Sequence, residues 1–167
     1  MATQTLVALD EYLRRVDEGG CPDYLDGTLV ERNVGHYRHA RVQGLIAHLF
    51  FELAKRVRCF PGTEVHLRLT PARFRVADVA VFFGIEPTEG IPSVPPLVVV
   101  EVLSPDDRFT EIMDKLNEYR EWGIANIWFI DPWASKLSVY TESGLAQVPT
   151  LRLPEYDFEI TPKDLFD

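Results

Sequence analysis

Apolar and polar positions divide the chain into unlike pieces, with no repeat among them. Leu9, Tyr12, Leu13 and Val16 recur at helical spacing, which predicts a short amphipathic helix over 8–18, stopped by Gly19 and Gly20. Asp26-Gly27 between Tyr24-Leu25 and Leu29-Val30 predicts a tight hairpin, because both turn positions tolerate positive φ. Val42, Leu45, Ile46, Leu49, Leu53 and Val57 form one stripe of a long helix over 36–58, with Pro61-Gly62 as its end. Three strand-like runs follow, at 64–69, 75–83 and 97–103. The last is almost wholly apolar and reads as a central strand covered on both faces. Pro87, Pro92, Pro95 and Pro96 make 84–96 a surface loop. A second helix over 107–122 is expected to bury Phe109, Ile112, Met113, Leu116 and Tyr119 and to stop at Gly123. Strands at 127–130 and 137–140 complete the pattern, joined through Asp131-Pro132. A strand-helix-strand crossover implies a parallel pair, whereas the first three strands can meander. The predicted class is therefore α/β, with a mixed central sheet flanked by helices and an N-terminal helix and hairpin.

Composition narrows the class. With 167 residues, 46% hydrophobic and 26% charged, the chain is expected to form one domain over 1–167. No apolar stretch approaches the roughly 18 residues needed to cross a bilayer, and the N-terminus lacks a signal pattern, so a cytoplasmic location without membrane contact is expected. Cys21 and Cys59 are too few for a disulfide framework or a four-ligand zinc site. The net charge of −9 conceals a segregation: nine basic residues against two acidic ones between Arg32 and Arg75 leave +7 there and −16 elsewhere. Such a segment suits an anionic ligand, or it is the solvated side of a helix.

Two carboxylates interrupt strands that are otherwise apolar, Asp78 in Val76-Ala77-Asp78-Val79-Ala80-Val81 and Glu101 in Val98-Val99-Val100-Glu101-Val102-Leu103. A buried ionised carboxylate needs a partner. If the two strands are neighbours, about 4.8 Å apart, both side chains reach one divalent cation, and hard oxygen ligands favour magnesium or manganese. The alternative is that each pairs with an arginine or caps a strand end. In the cation reading the carboxylates repel when the site is empty. Replacing either by alanine is then expected to abolish metal binding without unfolding the metal-free protein, or even to stabilise it. Lys115 lies beside Ile112 and Tyr119 at the border of the second helix's buried stripe. It either turns inward to orient a water and neutralise charge, or covers apolar surface with its stem. His39, on the inner stripe of the long helix, fits a ligand, a base or a plain hydrogen-bonded histidine. Gly-rich phosphate loops, a Gly-x-Ser-x-Gly elbow and a His-Glu-x-x-His pair are all absent.

With these residues placed, the chain resembles the Uma-type family of "putative restriction endonucleases" within the PD-(D/E)xK nuclease superfamily. The resemblance lies in the hairpin from Asp23 to Val30, in His39 followed by the long helix, and in Arg75-Val76-Ala77-Asp78-Val79-Ala80. It continues through Val99-Val100-Glu101-Val102-Leu103-Ser104-Pro105, Asp114-Lys115-Leu116-Asn117-Glu118-Tyr119 and Trp128-Phe129-Ile130-Asp131-Pro132. It implies a restriction-endonuclease-like core with Asp78, Glu101 and the carbonyl of Val102 as ligands of Mg2+ or Mn2+. Three positions depart from the pattern: Ala77 replaces a proline, Leu103 replaces the signature lysine, and Asp23 replaces a glutamate. The family commonly carries its lysine on the next helix, so the resemblance transfers that role to Lys115, with His39 in the catalytic set and Asp23 at its outer edge. Arg38, Arg41 and Arg75 become candidate phosphate contacts. The implied activity is metal-dependent endonucleolytic hydrolysis of DNA, with a homodimer as one allowed assembly. The competing reading is a catalytically inactive nuclease-like binding or assembly module of a mobile-element or defence system, which Leu103 and the acidic surface favour. A purely structural acidic domain leaves the +7 segment without a role.

Overall fold

The computed structural model describes residues 6–32 and 35–167. Asp26 and Gly27 adopt φ +49° and +95°, closing β1 (Asp23–Leu25) onto β2 (Thr28–Val30). Helix α1 (Leu9–Asp17) lies over this hairpin. Tyr12 stacks on Tyr24 at 4.8 Å between ring centroids and meets Phe74 at 5.1 Å, making a small core of its own.

Helix α2 (Tyr37–Leu53) is followed by β3 (Cys59–Thr70), β4 (Arg73–Phe83) and β5 (Val98–Val102), which form the expected meander. Helix α3 (Phe109–Trp122) then crosses over to β6 (Asn126–Asp131), which pairs parallel with β5. Strands β7 (Lys136–Thr141) and β8 (Gly144–Val148) extend the sheet, giving the order β2-β1-β4-β5-β6-β7-β8 with β3 on the other flank of β4. The sheet is covered on both faces, as its apolar central strand requires. On one face α2 contributes Val42, Ile46 and Phe50 against Val79, Val98 and Val100. On the other, α3 contributes Leu116 and Tyr119 against Ala80, Val99 and Ile127. None of the described helices is long and apolar enough to cross a membrane.

Three expectations are corrected. The long helix stops at Leu53, where Lys55 and Arg56 donate back three residues and tighten the last turn. Pro61 and Gly62 do not end it but lie inside β3, whose described pairing is to β4 alone. An edge strand accommodates a residue without an N–H on its free flank. Phe109 is 67% exposed rather than buried, because α3 begins at this residue and packing on the sheet starts at Ile112. The pattern past Tyr140 also holds elements that periodicity did not reveal. The β9 (Leu151–Leu153) and β10 (Phe158–Ile160) hairpin and α4 (Pro162–Phe166) bring Leu151, Leu153, Ile160 and Leu165 into the α2 core.

One irregularity positions the site. On the flank of β4 away from β3, Val79, Ala80 and Val81 pair with β5, while Arg73 and Phe74 pair with β1. Between the two partners, residues 75–78 have no strand partner on that flank among the described residues and face a notch.

Candidate functional site

Backbone groups left without a ladder must find other partners, and in this notch side chains provide them. The N–H of Val76 donates to Asp23 Oδ1 at 2.7 Å, and its carbonyl accepts from Lys115 Nζ at 2.7 Å. At the end of β5 the N–H of Val102 donates to Asp78 Oδ2 at 2.7 Å. Gln43 Nε2, reaching from α2, donates to the carbonyl of Asp78 at 2.9 Å. The polar side chains of the notch therefore complete the sheet as well as forming the site.

Asp78 and Glu101 are 2% and 7% exposed, and both line a cavity of about 120 Å³ with Asp23, Arg32, His39, Arg75 and Lys115. Asp78 Oδ1 accepts from Arg32 at 2.5 Å, and Oδ2 lies 3.2 Å from His39 Nε2. Glu101 Oε1 accepts from the Tyr119 hydroxyl at 2.8 Å and Oε2 from Lys115 Nζ at 2.9 Å. These two carboxylates titrate in opposite directions. Burial opposes the charge on Asp78, but the His39 hydrogen bond and the Arg32 and Lys115 charges outweigh it and hold the acid below its ordinary value. Burial dominates at Glu101; Asp78 adds to it, Lys115 opposes it, and the acid is pushed up to about 7. For Lys115, burial favours the neutral amine, yet the Glu101, Asp23 and Asp78 charges prevail and raise it. For His39, burial also opposes the charge, and Asp78 overcomes it.

Glu101 makes stability depend on pH. A carboxyl that binds its proton more tightly when folded contributes stability fully present below 4.5 and lost as pH rises through about 7. Glu101→Gln cannot ionise. Its stability relative to wild type is expected to rise by about 2 kcal/mol between about pH 5 and about pH 8, as read by urea melts of the metal-free protein. A pH-independent difference would place the Glu101 proton elsewhere.

The structure brings together Asp78, Glu101, Lys115, His39, Asp23 and the end of β5 at Val102. It does not leave all three predicted arginines free for phosphate. Arg75 is buried between Asp23, at 3.0 Å, and Glu118, at 2.7 Å. Arg41 donates to the carbonyls of Leu165 and Asp167 and ties α2 to the C-terminus. Arg38 is exposed beside His39. Leu103, at the signature-lysine position, has its N–H in the backbone pairing with Ile130 and its side chain against the α3 core. The ammonium that reaches Glu101 comes from α3 instead.

Sequence reasoning did not single out Arg32, Glu64, Gln43, Tyr119 or Glu118 as site members. Arg32 was legible only as part of the basic segment. Glu64 carries no local signal, yet it adopts φ +52° inside β3, opposite Asp78 between the pairs Thr63↔Val79 and Val65↔Ala77. A non-glycine residue in the left-handed region within a strand is held there by its surroundings. Here Gln43 donates to Glu64 Oε1 at 2.6 Å, and Arg32 bridges Glu64 and Asp78.

Oxygen donors from Asp78, Glu101 and the Val102 carbonyl suit a hard divalent cation. Among the described residues no group of three or more His, Cys, Asp or Glu side chains is placed to hold a metal, so such an ion depends on backbone oxygen or water to complete its shell. His39 turns Nε2 to Asp78, while its Nδ1, buried and without a hydrogen-bond partner among the described residues, faces Gly35 on the other side of the ring. The donor set therefore fits the ion in chemistry.

Comparison with known proteins bears on the fold and the family. The fold matches a crystal structure described as "a putative nuclease belonging to DUF820" from Anabaena variabilis ATCC 29413, with TM-score 0.81 and 20% identity over 96% of this chain and 97% of that one. No curated protein matches the chain. The profile of the Uma2 family, described as "Putative restriction endonuclease", matches residues 9–163 and so takes in the hairpin, both long helices and every strand of the notch. The chain belongs to the Uma2 family.

Proposed function

We propose that the chain is a divalent-cation-dependent nuclease that hydrolyses phosphodiester bonds in DNA. The observation that carries this reading is the convergence of Asp78, Glu101 and Lys115 from β4, β5 and α3 in one notch of the sheet. The family description, "Putative restriction endonuclease", supports DNA as the substrate. Asp78, Glu101 and the Val102 carbonyl would hold Mg2+ or Mn2+, which when bound supplies Lewis-acid polarisation of a phosphoryl oxygen and acidifies water. Lys115 holds its proton, so it serves by charge rather than as a base, its ammonium facing the negative charge that grows on the phosphoryl group. His39, raised toward its protonated form by Asp78, fixes the orientation of that carboxylate. Arg108, exposed and lining the cavity, and Arg38, exposed next to His39 in the chain, are cations available to flank neighbouring phosphates.

One observation favours a binding module instead: every carboxylate oxygen of Asp78 and Glu101 already has a partner within the protein. The deciding experiment incubates the protein and Asp78→Asn with manganese or magnesium and with single-stranded, duplex and branched DNA and RNA. Wild type is expected to cleave DNA and the variant to be inert. Failure to cleave any substrate with either ion makes the binding module the better reading.

A further inference from the structure

Arg32 pairs with both Asp78 and Glu64 at the edge of the site. It lies just beyond β2, outside any strand or helix, with its side chain only 18% exposed. One guanidinium nitrogen is 2.5 Å from Asp78 Oδ1 and the other donates to Glu64, so a single positive group spans two carboxylates on adjacent strands. Glu31, Arg32 and His39 line both of two cavities and form the wall they share. The 120 Å³ space holds Asp78 and Glu101; a larger one of about 330 Å³ is lined by Cys21, Gly35, Gln43 and Glu64. A guanidinium withdrawn from Asp78 therefore has room beside Glu64, which remains its second anchor.

Charge makes the wall consequential. Asp78 is too deeply buried to stay ionised alone, and a guanidinium keeps its charge throughout the accessible pH range. A divalent ion on the same carboxylate would meet Arg32 within hydrogen-bond range of its ligand, with Lys115 and His39 already adding positive charge to the site. Attraction to Asp78 cannot be used in full by both cations at once.

We propose that Arg32 is a positioning residue that occupies the cation-binding side of Asp78 until a divalent ion displaces it toward Glu64 and the larger cavity. The inference rests on the cation reading of the site given above. It makes metal binding an exchange of one cation for another, so the affinity measured in solution is lowered by the strength of the Arg32 contact.

The test is titration of the full-length protein with manganese chloride by calorimetry, alongside thermal melts with and without the ion. Arg32→Gln is expected to bind Mn2+ about tenfold more tightly than wild type while melting lower without metal. A purely structural Arg32 would instead lose affinity when removed. Glu64→Gln removes the anchor that receives the displaced guanidinium without touching a proposed ligand and keeps the inference testable if Arg32→Gln does not fold; it is expected to bind Mn2+ more weakly than wild type. Arg32→Lys retains a competing charge and is expected to stay near the wild-type affinity. Unchanged or weaker binding in folded Arg32→Gln, or unchanged or tighter binding in Glu64→Gln where Arg32→Gln is unfolded, overturns the role of Arg32 and leaves the cation site standing. Absence of Mn2+ binding in wild type and both glutamine variants overturns the cation site itself.

Discussion

Asp78→Ala is expected to lower the stability of the metal-free protein by about 3–5 kcal/mol and to abolish manganese binding. The size follows from what the carboxylate holds. Without it the Arg32 guanidinium loses a buried partner, His39 loses the acceptor that favours its charge, and the Val102 N–H at the end of β5 is left without a bond. This reverses the expectation that removing one of two repelling carboxylates relieves strain. Repulsion is not the governing term here, because Asp78 is balanced by Arg32 and His39, and at Glu101 both burial and the opposing Lys115 charge outweigh the effect of Asp78. Asp78→Asn retains an oxygen for the Val102 N–H and should fall between wild type and alanine in urea melts. A stable alanine variant would mean that the charges in the notch are not coupled as the distances imply.

Lys115→Met is expected to reduce manganese-dependent nicking by about 100-fold or more, the loss that follows removal of one well-placed electrostatic donor. The thioether chain retains the apolar stem but leaves Glu101 Oε2 and the Val76 carbonyl without the ammonium. Some stability is lost as well, so rates are compared per folded molecule, with the folded fraction taken from melts. Because Lys115 acts by charge, Lys115→Arg should recover part of the rate while a neutral variant recovers none at any pH. Equal rates in wild type and Lys115→Met would remove the lysine from the chemistry and leave it only its structural contacts.

Much of the framework was legible because it rests on local patterns. Asp26-Gly27 fixes its own turn, the apolar stripe of α2 is long enough to be unambiguous, and the run around Glu101 is too apolar for an edge. The same patterns exposed Asp78 and Glu101 as misfits that needed partners. What was hidden depends on distance in the chain. Arg32 reaches a carboxylate 46 positions away, and Glu64 is set across from Asp78 by strand pairing alone. Arg75 looks like any cation of a basic segment until Asp23 and Glu118 are seen on either side of it. The C-terminal hairpin was missed because segments of three residues are too short for periodicity to register.

The notch between β1 and β5 also bears on how such a protein changes over evolutionary time. Asp23, Asp78 and Lys115 stand in for backbone bonds that no neighbouring strand supplies. Selection for a folded chain alone would retain them. A descendant that had abandoned cleavage could therefore carry the same acidic and basic residues for generations, preserved as mortar rather than machinery. In this lineage the first sign of lost chemistry would appear at residues that leave the sheet indifferent, such as the exposed Arg108 that lines the cavity, and not at the carboxylates by which nucleases are usually recognised.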